Sequence, residues 1–528
     1  MRIGALDLGS NSFHLLVVEA RPDGSFTPLV REKEMLRLGD VVAASGRLTE
    51  EAVDRAVEVV GRFRAIAETN QVDELVAYGT AALREAENGP EAADRIEAET
   101  GVAVQVVNGI REAQLVFEAV RASVLMEPAP VVCADLGGGS LELALGDRYG
   151  LQYATSLHLG VARLTVELVR SDPPTHKDRA RLRRRIEQEL ESVVPDLAAR
   201  HPRQLVGSSG TMCALVRAAA ALRDGSVPAS VNQLSVSRSE LESLFELVFS
   251  LGAEDRARLP GVDNRRAELL PAGAVVAESL LDLLGLDTLT ASEWALREGM
   301  VLRVLRKHDR ADLSGDPRAI RRASVLSLCR RSSWREPHAR AVARMALELF
   351  EGTAPLHHGD EVDRELLELA ALLHDVGEHV SRDGHARHSA YLIEHGGLRG
   401  FSPDEVRILA CLARYHTRGR PRESFAPFEA LGETDRSRVL RLLALLRIAD
   451  GLDVSHAEVV GRITVELADD RAVIRAPARG EAELESWMFH RKRGLFEEVL
   501  GVPATLELSR AHHDEFEPEA FVPAAGHG

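Results

Sequence analysis

The chain has 528 residues, 45% hydrophobic, 28% charged and 4% aromatic, with a formal net charge of −17. That is a globular composition too long for one small core, and it predicts three or four domains. The acidic balance argues against a nucleic-acid coat protein, and no window approaches the ~18 uninterrupted apolar residues of a membrane helix.

The opening segment MRIGALDLGS runs straight into an apolar strand, with no signal-peptide core and cleavage site. The four cysteines, Cys133, Cys213, Cys329 and Cys411, each stand alone in apolar or helical surroundings. They form neither a metal knuckle nor a disulfide framework, so a reducing, cytoplasmic setting is expected. Arginine clusters at Arg179–Arg185, Arg321–Arg322, Arg330–Arg331 and Arg414–Arg422 could draw a polyanion to an acidic protein. The plainer reading of each is a solvated helix face.

The first stretch, 1–125, alternates strands and helices. Ile3–Leu6 and His14–Ala20 read as strands joined by a Gly/Ser/Asn turn. Thr49 caps a helix running to Ala67, with Glu50 and Glu51 in its first turn. Leu75–Tyr78 and Val102–Val107 read as further strands, and Glu112–Arg121 as a helix. The second stretch, 126–308, restarts the same way, with strand Pro130–Ala134, a glycine turn, and strand Leu141–Leu145. The third, 309–458, is rich in leucine and alanine with helical periodicity, and histidines gather in it. The last, 459–528, turns to strands at Arg462–Leu467, Ala472–Ile474 and Thr505–Leu508, with one helix expected over Glu481–Leu500. The tail FVPAAGHG is expected to fray.

The restart carries the most information. DLGSNSFHL (7–15) and DLGGGSLEL (135–143) repeat Asp, Leu, Gly, Ser and Leu at the same offsets, which suggests two similar halves facing one cleft. A single DxGxxS is most simply a hairpin turn, but two copies with matching flanks favour a paired site. Glycine admits a ligand close to the backbone, and successive N–H groups in such a turn form an anion nest. Ser10, Asn11 and Ser12 in the first copy, and Gly137, Gly138, Gly139 and Ser140 in the second, are the expected phosphate-binding groups. Asp7, Asp135 and Glu142 would hold Mg²⁺ beside them. A third loop, Ser209-Gly210-Thr211, follows strand Gln204–Val206 and precedes a helix, where phosphates dock on helix N-termini.

These loops, with GSSGTMCAL (207–215), are similar in order and spacing to the phosphate loops of the acetate/sugar kinase–actin–heat-shock-protein superfamily. REKEMLRLGD (31–40), YGTAALREAEN (78–88), VNGIREAQLVF (107–117), RRAELLPAGA (265–274) and LREGM (296–300) narrow the resemblance to the exopolyphosphatase and guanosine-pentaphosphate phosphohydrolase family. The implied fold is α/β: two actin-like (ribonuclease H-like) domains, followed by an all-α domain and a small α+β cap.

The family's water-activating glutamate lies in a segment resembling G-x-E-E-A, here Gly109-Ile110-Arg111-Glu112-Ala113. The resemblance therefore makes Glu112 the general base, with Arg111 a departure at the first acidic position. Arg84 matches a phosphate-clamping arginine and Arg266 a second. The family also implies Mg²⁺ or Mn²⁺ near Asp135 and Glu142, leaves room for a monovalent cation, and suggests a homodimer.

In the helical stretch, the order His338…His374-Asp375…Asp450 resembles the metal tetrad of HD domains, suited to a second divalent ion such as Mn²⁺, Fe²⁺ or Zn²⁺. His385, His388 and His416 are further donors. The expected activity is release of terminal orthophosphate from inorganic polyphosphate, or the same chemistry on a guanosine polyphosphate, with neither membrane nor nucleic acid as partner. A kinase of the same fold would need a phosphoryl acceptor, and the Glu112 segment argues against it. A non-catalytic polyphosphate or alarmone sensor would have lost Glu112, Asp135 or Glu142.

Overall fold

The computed structural model describes residues 1–21, 24–126, 130–308, 317–332, 334–468 and 470–510. The tail FVPAAGHG and the boundaries drawn at 126 and 309 fall on or beside residues outside that set. Two compact units account for the chain: Met1–Ala323 with Arg399–Ser402, and Ser324–Leu398 with the residues from Pro403 onward.

The first unit contains two sheets. Strands β1 (Arg2–Leu8), β2 (Ser12–Ala20), β3 (Phe26–Met35), β4 (Glu74–Gly79) and β5 (Val104–Val106) form one, in the order β3-β2-β1-β4-β5. Strands β6 (Val131–Leu136), β7 (Leu141–Gly146), β8 (Leu151–Leu157), β9 (Gln204–Ser208), β10 (Ser235–Ser237) and β11 (Thr288–Ala291) form the other, in the order β10-β11-β9-β6-β7-β8. Set β6-β7-β8-β9-β11 over β1-β2-β3-β4-β5 and the two sheets have one topology. An antiparallel meander is followed by strands running parallel to the first one. The repeated DLG motif is thus the β1–β2 hairpin and its copy β6–β7, in an α/β fold of actin-like type.

The central strands have helices on both faces: β6 and β7 are buried at every residue and apolar apart from Asp135 and Glu142. The helix Glu50–Thr69 starts where its cap predicts, the Thr49 side chain accepting the Ala52 N–H at 3.2 Å. Its buried face, including Val53, Val60 and Phe63, joins a core with Leu6, Leu15 and Val17 of the first sheet. The helices Gly109–Arg121 and Leu296–Lys307 share a second core with Ile3, Ala5, Cys133 and Ala144, so residues of both sheets pack around that helix pair. Gly299 permits the approach, since a Cβ there would lie 2.2 Å from the Leu115 carbonyl oxygen.

The second unit is helical from Ser324 to Gly451. Its helices include Glu336–Gly352, Glu361–Leu373, His385–His395, Pro403–Tyr415 and Glu433–Gly451. A three-stranded sheet follows, ordered β12 (Thr464–Ala468), β13 (Arg471–Ala478) and β14 (Ala504–Arg510). The single helix expected over Glu481–Leu500 is two helices, Glu483–Lys492 and Gly494–Leu500. The break falls at Arg493-Gly494, where glycine weakens helical continuation. The arginine run 179–185 lies on the helix His176–Leu190 in ion pairs with Glu278, Asp282, Glu187 and Glu189, the plainer of the two readings. Among the described residues no helix is long and apolar enough to cross a membrane.

Gly299→Ala should cost about 1–3 kcal/mol in chemical denaturation, because the added methyl meets backbone that cannot give way. Gly150→Ala, with no atom within 4 Å of its Cβ position, should stay within about 0.5 kcal/mol of the parent.

Candidate functional site

The two hairpin turns meet. A Cβ at Gly138 would lie 3.0 Å from Asn11 Cβ, and one at Gly139 would lie 2.7 Å from Ser10 Oγ. The carbonyls of Gly137 and Gly138 accept the N–H groups of Val161 and Ala162, at 2.9 and 3.0 Å, where the helix Val161–Leu168 begins. The loop's amides are left over: among the described residues, the N–H groups of Gly138 and Gly139 have no hydrogen-bond partner. That is the arrangement of an anion nest. The first loop is braced from behind, with the Ser10 carbonyl accepting Gly39 N–H and the Asn11 carbonyl accepting Leu36 and Arg37 N–H.

Ser12 is the exception in this loop, because its Oγ is engaged by His14 Nε2 at 2.8 Å. Ser209, Gly210 and Thr211 do not form a free loop. They are the first turn of the helix Ser209–Asp224, reached directly from β9, with Ser209 Oγ donating to the Leu136 carbonyl at 2.8 Å. The Arg266 guanidinium lies where a Gly210 Cβ would be, its nearest nitrogen 1.8 Å from that point. Arg266 is thereby held on the Ser209–Thr211 turn.

The carboxylates follow from sheet register. Asp135 and Glu142 are direct partners across β6 and β7, so their side chains leave the same face of the sheet. Asp7 has His14 opposite it in the first copy. Ser208 Oγ donates to Asp135 at 3.0 Å and Ser156 Oγ to Glu142 at 2.8 Å. Glu112 is placed by a cap: Asn108 accepts the Arg111 N–H at 2.8 Å, opening the helix Gly109–Arg121 with Glu112 buried in its first turn. Arg84 Nη1 donates to Glu112 Oε2 at 2.9 Å and to the Val107 carbonyl at 3.0 Å.

Burial and mutual repulsion dominate the electrostatics here. Burial pushes Asp7 up to about 7, with Arg297 opposing and the Asp135 charge adding. Burial likewise takes Asp135 up to about 6 against the Ser208 hydrogen bond. Glu142 rises to about 7 through burial and the charge of Asp135. Glu112 is held well above the ordinary carboxylate range by burial and by Glu142, with Arg84 opposing. Burial, followed by the Arg297 charge, takes His14 down to about 2, leaving it neutral.

Oxygen donors without a proton source suit a hard divalent cation. Among the described residues, however, no three of these carboxylates bring ligand atoms within 4.8 Å of one another; the groups that do are all histidine–aspartate sets in the second unit. A cation held here would have to keep several waters or share its sphere with substrate oxygens. Arg297 is the residue that motif reading missed. It lies within the LREGM segment, but only the fold brings it to the two aspartates.

In the second unit His338, His374, Asp375 and Asp450 converge: His338 Nε2 is 3.2 Å from His374 Nε2, and Asp450 Oδ1 is 3.7 Å from His374 Nε2. Asp453, His456 and Lys492 also belong to this cluster and went unread. Asp453 Oδ2 is 2.8 Å from His338 Nδ1, the His456 ring stacks on His338 at 3.8 Å, and Lys492 pairs with Asp450.

Two ribonuclease H-like folds, with matched acidic hairpins closing on one cleft, define a phosphoryl-transfer protein of the actin-like class. Residues 17–308 match the Ppx/GppA phosphatase family and 320–475 match domain III of the Ppx/GppA phosphatases. The chain belongs to the Ppx/GppA phosphatase family. It is 39% identical over 306 residues to exopolyphosphatase 1 of Mycobacterium leprae, covering 58% of this chain and 90% of that one. It is 28% identical over 479 residues to the guanosine-5′-triphosphate,3′-diphosphate pyrophosphatase of Aeromonas hydrophila, covering 90% and 92%. The crystal structure of an exopolyphosphatase from Cytophaga hutchinsonii superposes with a TM-score of 0.55 at 29% identity, covering 58% of this chain and 98% of that one.

The raised carboxyls give a measurable sign. A group whose folded value lies above its unfolded one keeps its proton in the native state after the unfolded chain has released it. Its contribution is complete below the unfolded value and is lost as pH rises through the folded one. In metal-free buffer Glu142→Gln should therefore gain stability relative to the parent as pH rises from about 4.5 to about 7, by about 1–3 kcal/mol. Denaturant titrations across that range check it; a parallel pair of curves would contradict the burial argument.

Proposed function

We propose that this chain is an exopolyphosphatase, releasing the terminal orthophosphate of inorganic polyphosphate by attack of water. The observation that carries this reading is the pairing of a buried glutamate, Glu112, with the Arg84 guanidinium at 2.9 Å, in the unit where two glycine hairpins converge. A nest of amides without a base would bind an anion and leave it intact. A base within the same cleft supplies what hydrolysis needs.

In this reading the Gly138 and Gly139 amides, Ser10, Asn11 and the Thr211 turn hold the terminal phosphoryl group, and Arg266 holds a neighbouring one. Arg84 keeps Glu112 aimed into the cleft in the free protein and passes to the phosphate oxygens when substrate enters, binding two at once. Release from Arg84 frees the Glu112 carboxylate to take a proton from the attacking water. Asp7, Asp135 and Glu142 would hold a divalent cation, Mg²⁺ or Mn²⁺, which when bound neutralises phosphoryl oxygens and stabilises the charge developing on them. Arg297 keeps the two aspartates from repelling each other out of place before the cation arrives.

Two relatives point to different substrates. The name of the Mycobacterium leprae relative, exopolyphosphatase 1, supports the polyphosphate reading, over 58% of this chain. The Aeromonas enzyme, matched over 90% of it, makes 5′-phosphate removal from pppGpp the second reading, on the same residues. Glu112→Gln should lower phosphate release about 10²–10⁴-fold and leave substrate binding intact. Parallel phosphate-release assays on long-chain polyphosphate and pppGpp should show the larger kcat/KM on polyphosphate. Full turnover in Glu112→Gln would remove the base assignment, and a preference for pppGpp would select the second substrate.

A further inference from the structure

The histidine cluster of the second unit turns four imidazole nitrogens toward one buried carboxylate. His374 Nδ1 lies 2.7 Å from the Ala371 carbonyl, His416 Nδ1 2.8 Å from the Ala413 carbonyl, and His385 Nδ1 3.0 Å from the Arg382 carbonyl. His338 Nδ1 lies 2.8 Å from Asp453 Oδ2. Each acceptor requires the proton on Nδ1, so all four neutral rings turn a bare Nε2 lone pair inward. Outer acceptors of this kind are what orient metal-bound imidazoles.

The four lone pairs converge on a single carboxylate and divide between its two oxygens. Asp375 Oδ2 lies 3.5 Å from His374 Nε2 and 3.7 Å from His338 Nε2. Asp375 Oδ1 lies 3.2 Å from His416 Nε2 and 3.3 Å from His385 Nε2. That Oδ1 is buried and has no hydrogen-bond partner. Within each pair the nitrogens also face each other, His338 to His374 at 3.2 Å and His385 to His416 at 3.3 Å. With Nδ1 carrying the proton, neither member of a pair has one to donate. In the neutral rings, lone pairs gathered on lone pairs around an acid call for added positive charge among them, and the shared carboxylate with two nitrogens on each oxygen is the geometry of metal ligands. Asp450 completes the first set: its Oδ2 is neutralised by Lys492, and its Oδ1 is turned inward, 3.7 Å from His374 Nε2 and 3.9 Å from His338 Nε2.

We infer that this cluster is a two-cation centre bridged by Asp375, with one divalent ion on His338, His374, Asp375 and Asp450 and a second on Asp375, His385 and His416. The second ion goes beyond the four-residue set legible in the sequence, and it is independent of the phosphate cleft. An imidazole-rich donor set selects first-row transition ions, Mn²⁺, Fe²⁺, Co²⁺ or Zn²⁺, over Mg²⁺. The two sites differ in access. His374 is fully buried, whereas His385 and Asp375 keep 22% and 15% of their side-chain surface exposed. The His385 ion therefore faces solvent and has coordination positions open to an oxygen ligand.

The test is metal content of the full-length protein, loaded with Mn²⁺ or Co²⁺ and desalted into excess Mg²⁺ so that the phosphate cleft does not contribute. Wild type should retain about two transition ions per chain, His385→Gln about one, and Asp375→Asn fewer than one. Mn²⁺ titration of the unaltered protein, followed by electron paramagnetic resonance, needs no variant. Coupling between two ions should appear as the second equivalent binds. One tightly held ion in wild type with no coupled signal overturns the second site, and none retained overturns the centre.

Discussion

Everything in the first unit depends on how closely two backbone turns can approach. Gly138 and Gly139 sit against Asn11 and Ser10 with little room for a Cβ, and Gly160 is packed more tightly still on the backbone of Gly138 and Gly139 from behind. The carbonyls of Gly137 and Gly138 are taken by the helix starting at Val161, so the Gly138 and Gly139 amides point the other way, without a partner among the described residues. A turn built from larger residues would hold the two hairpins apart and fill the nest.

The acidic side chains follow from the same duplication, but the copies are not equal. Where the second hairpin has Glu142 opposite Asp135, the first has His14 opposite Asp7. Burial and Arg297 keep His14 uncharged. One copy therefore offers two carboxylates and the other offers one, with Glu112 arriving from a capped helix. These charges are destabilising as they stand, which is the usual condition of a site prepared for a cation and a polyanion. Arg84 on Glu112 relieves part of that cost while substrate is absent.

The duplicated topology was legible because it is local: a seven-residue strand, a glycine turn and a second strand repeat with the same side-chain types. The base was legible only through resemblance, since Glu112 in isolation is an ordinary first-turn glutamate. Arg297, Ser156, Ser208 and Lys492 carry no local signature; each reaches its partner across tens or hundreds of residues. In the second unit the His–Asp order gave four candidate ligands, which the fold brings together. The carboxylate shared between two histidine pairs depends on where Asp375 points, which no spacing encodes. The helix expected over Glu481–Leu500 is broken at Arg493-Gly494, where glycine weakens helical continuation. The arginine run 179–185 shows the converse, a charge cluster whose neighbours are carboxylates of the same surface.

The central claim is that both hairpins grip one anion together with its cation. The most direct measurement is a crystal structure of Glu112→Gln grown with Mn²⁺ and tripolyphosphate, with the ion located by anomalous scattering. The account predicts a terminal phosphate on the Gly138 and Gly139 amides and a manganese ion between it and the carboxylates of Asp7, Asp135 and Glu142. Phosphate bound elsewhere on the first unit, or manganese found only at the histidine cluster, would contradict it.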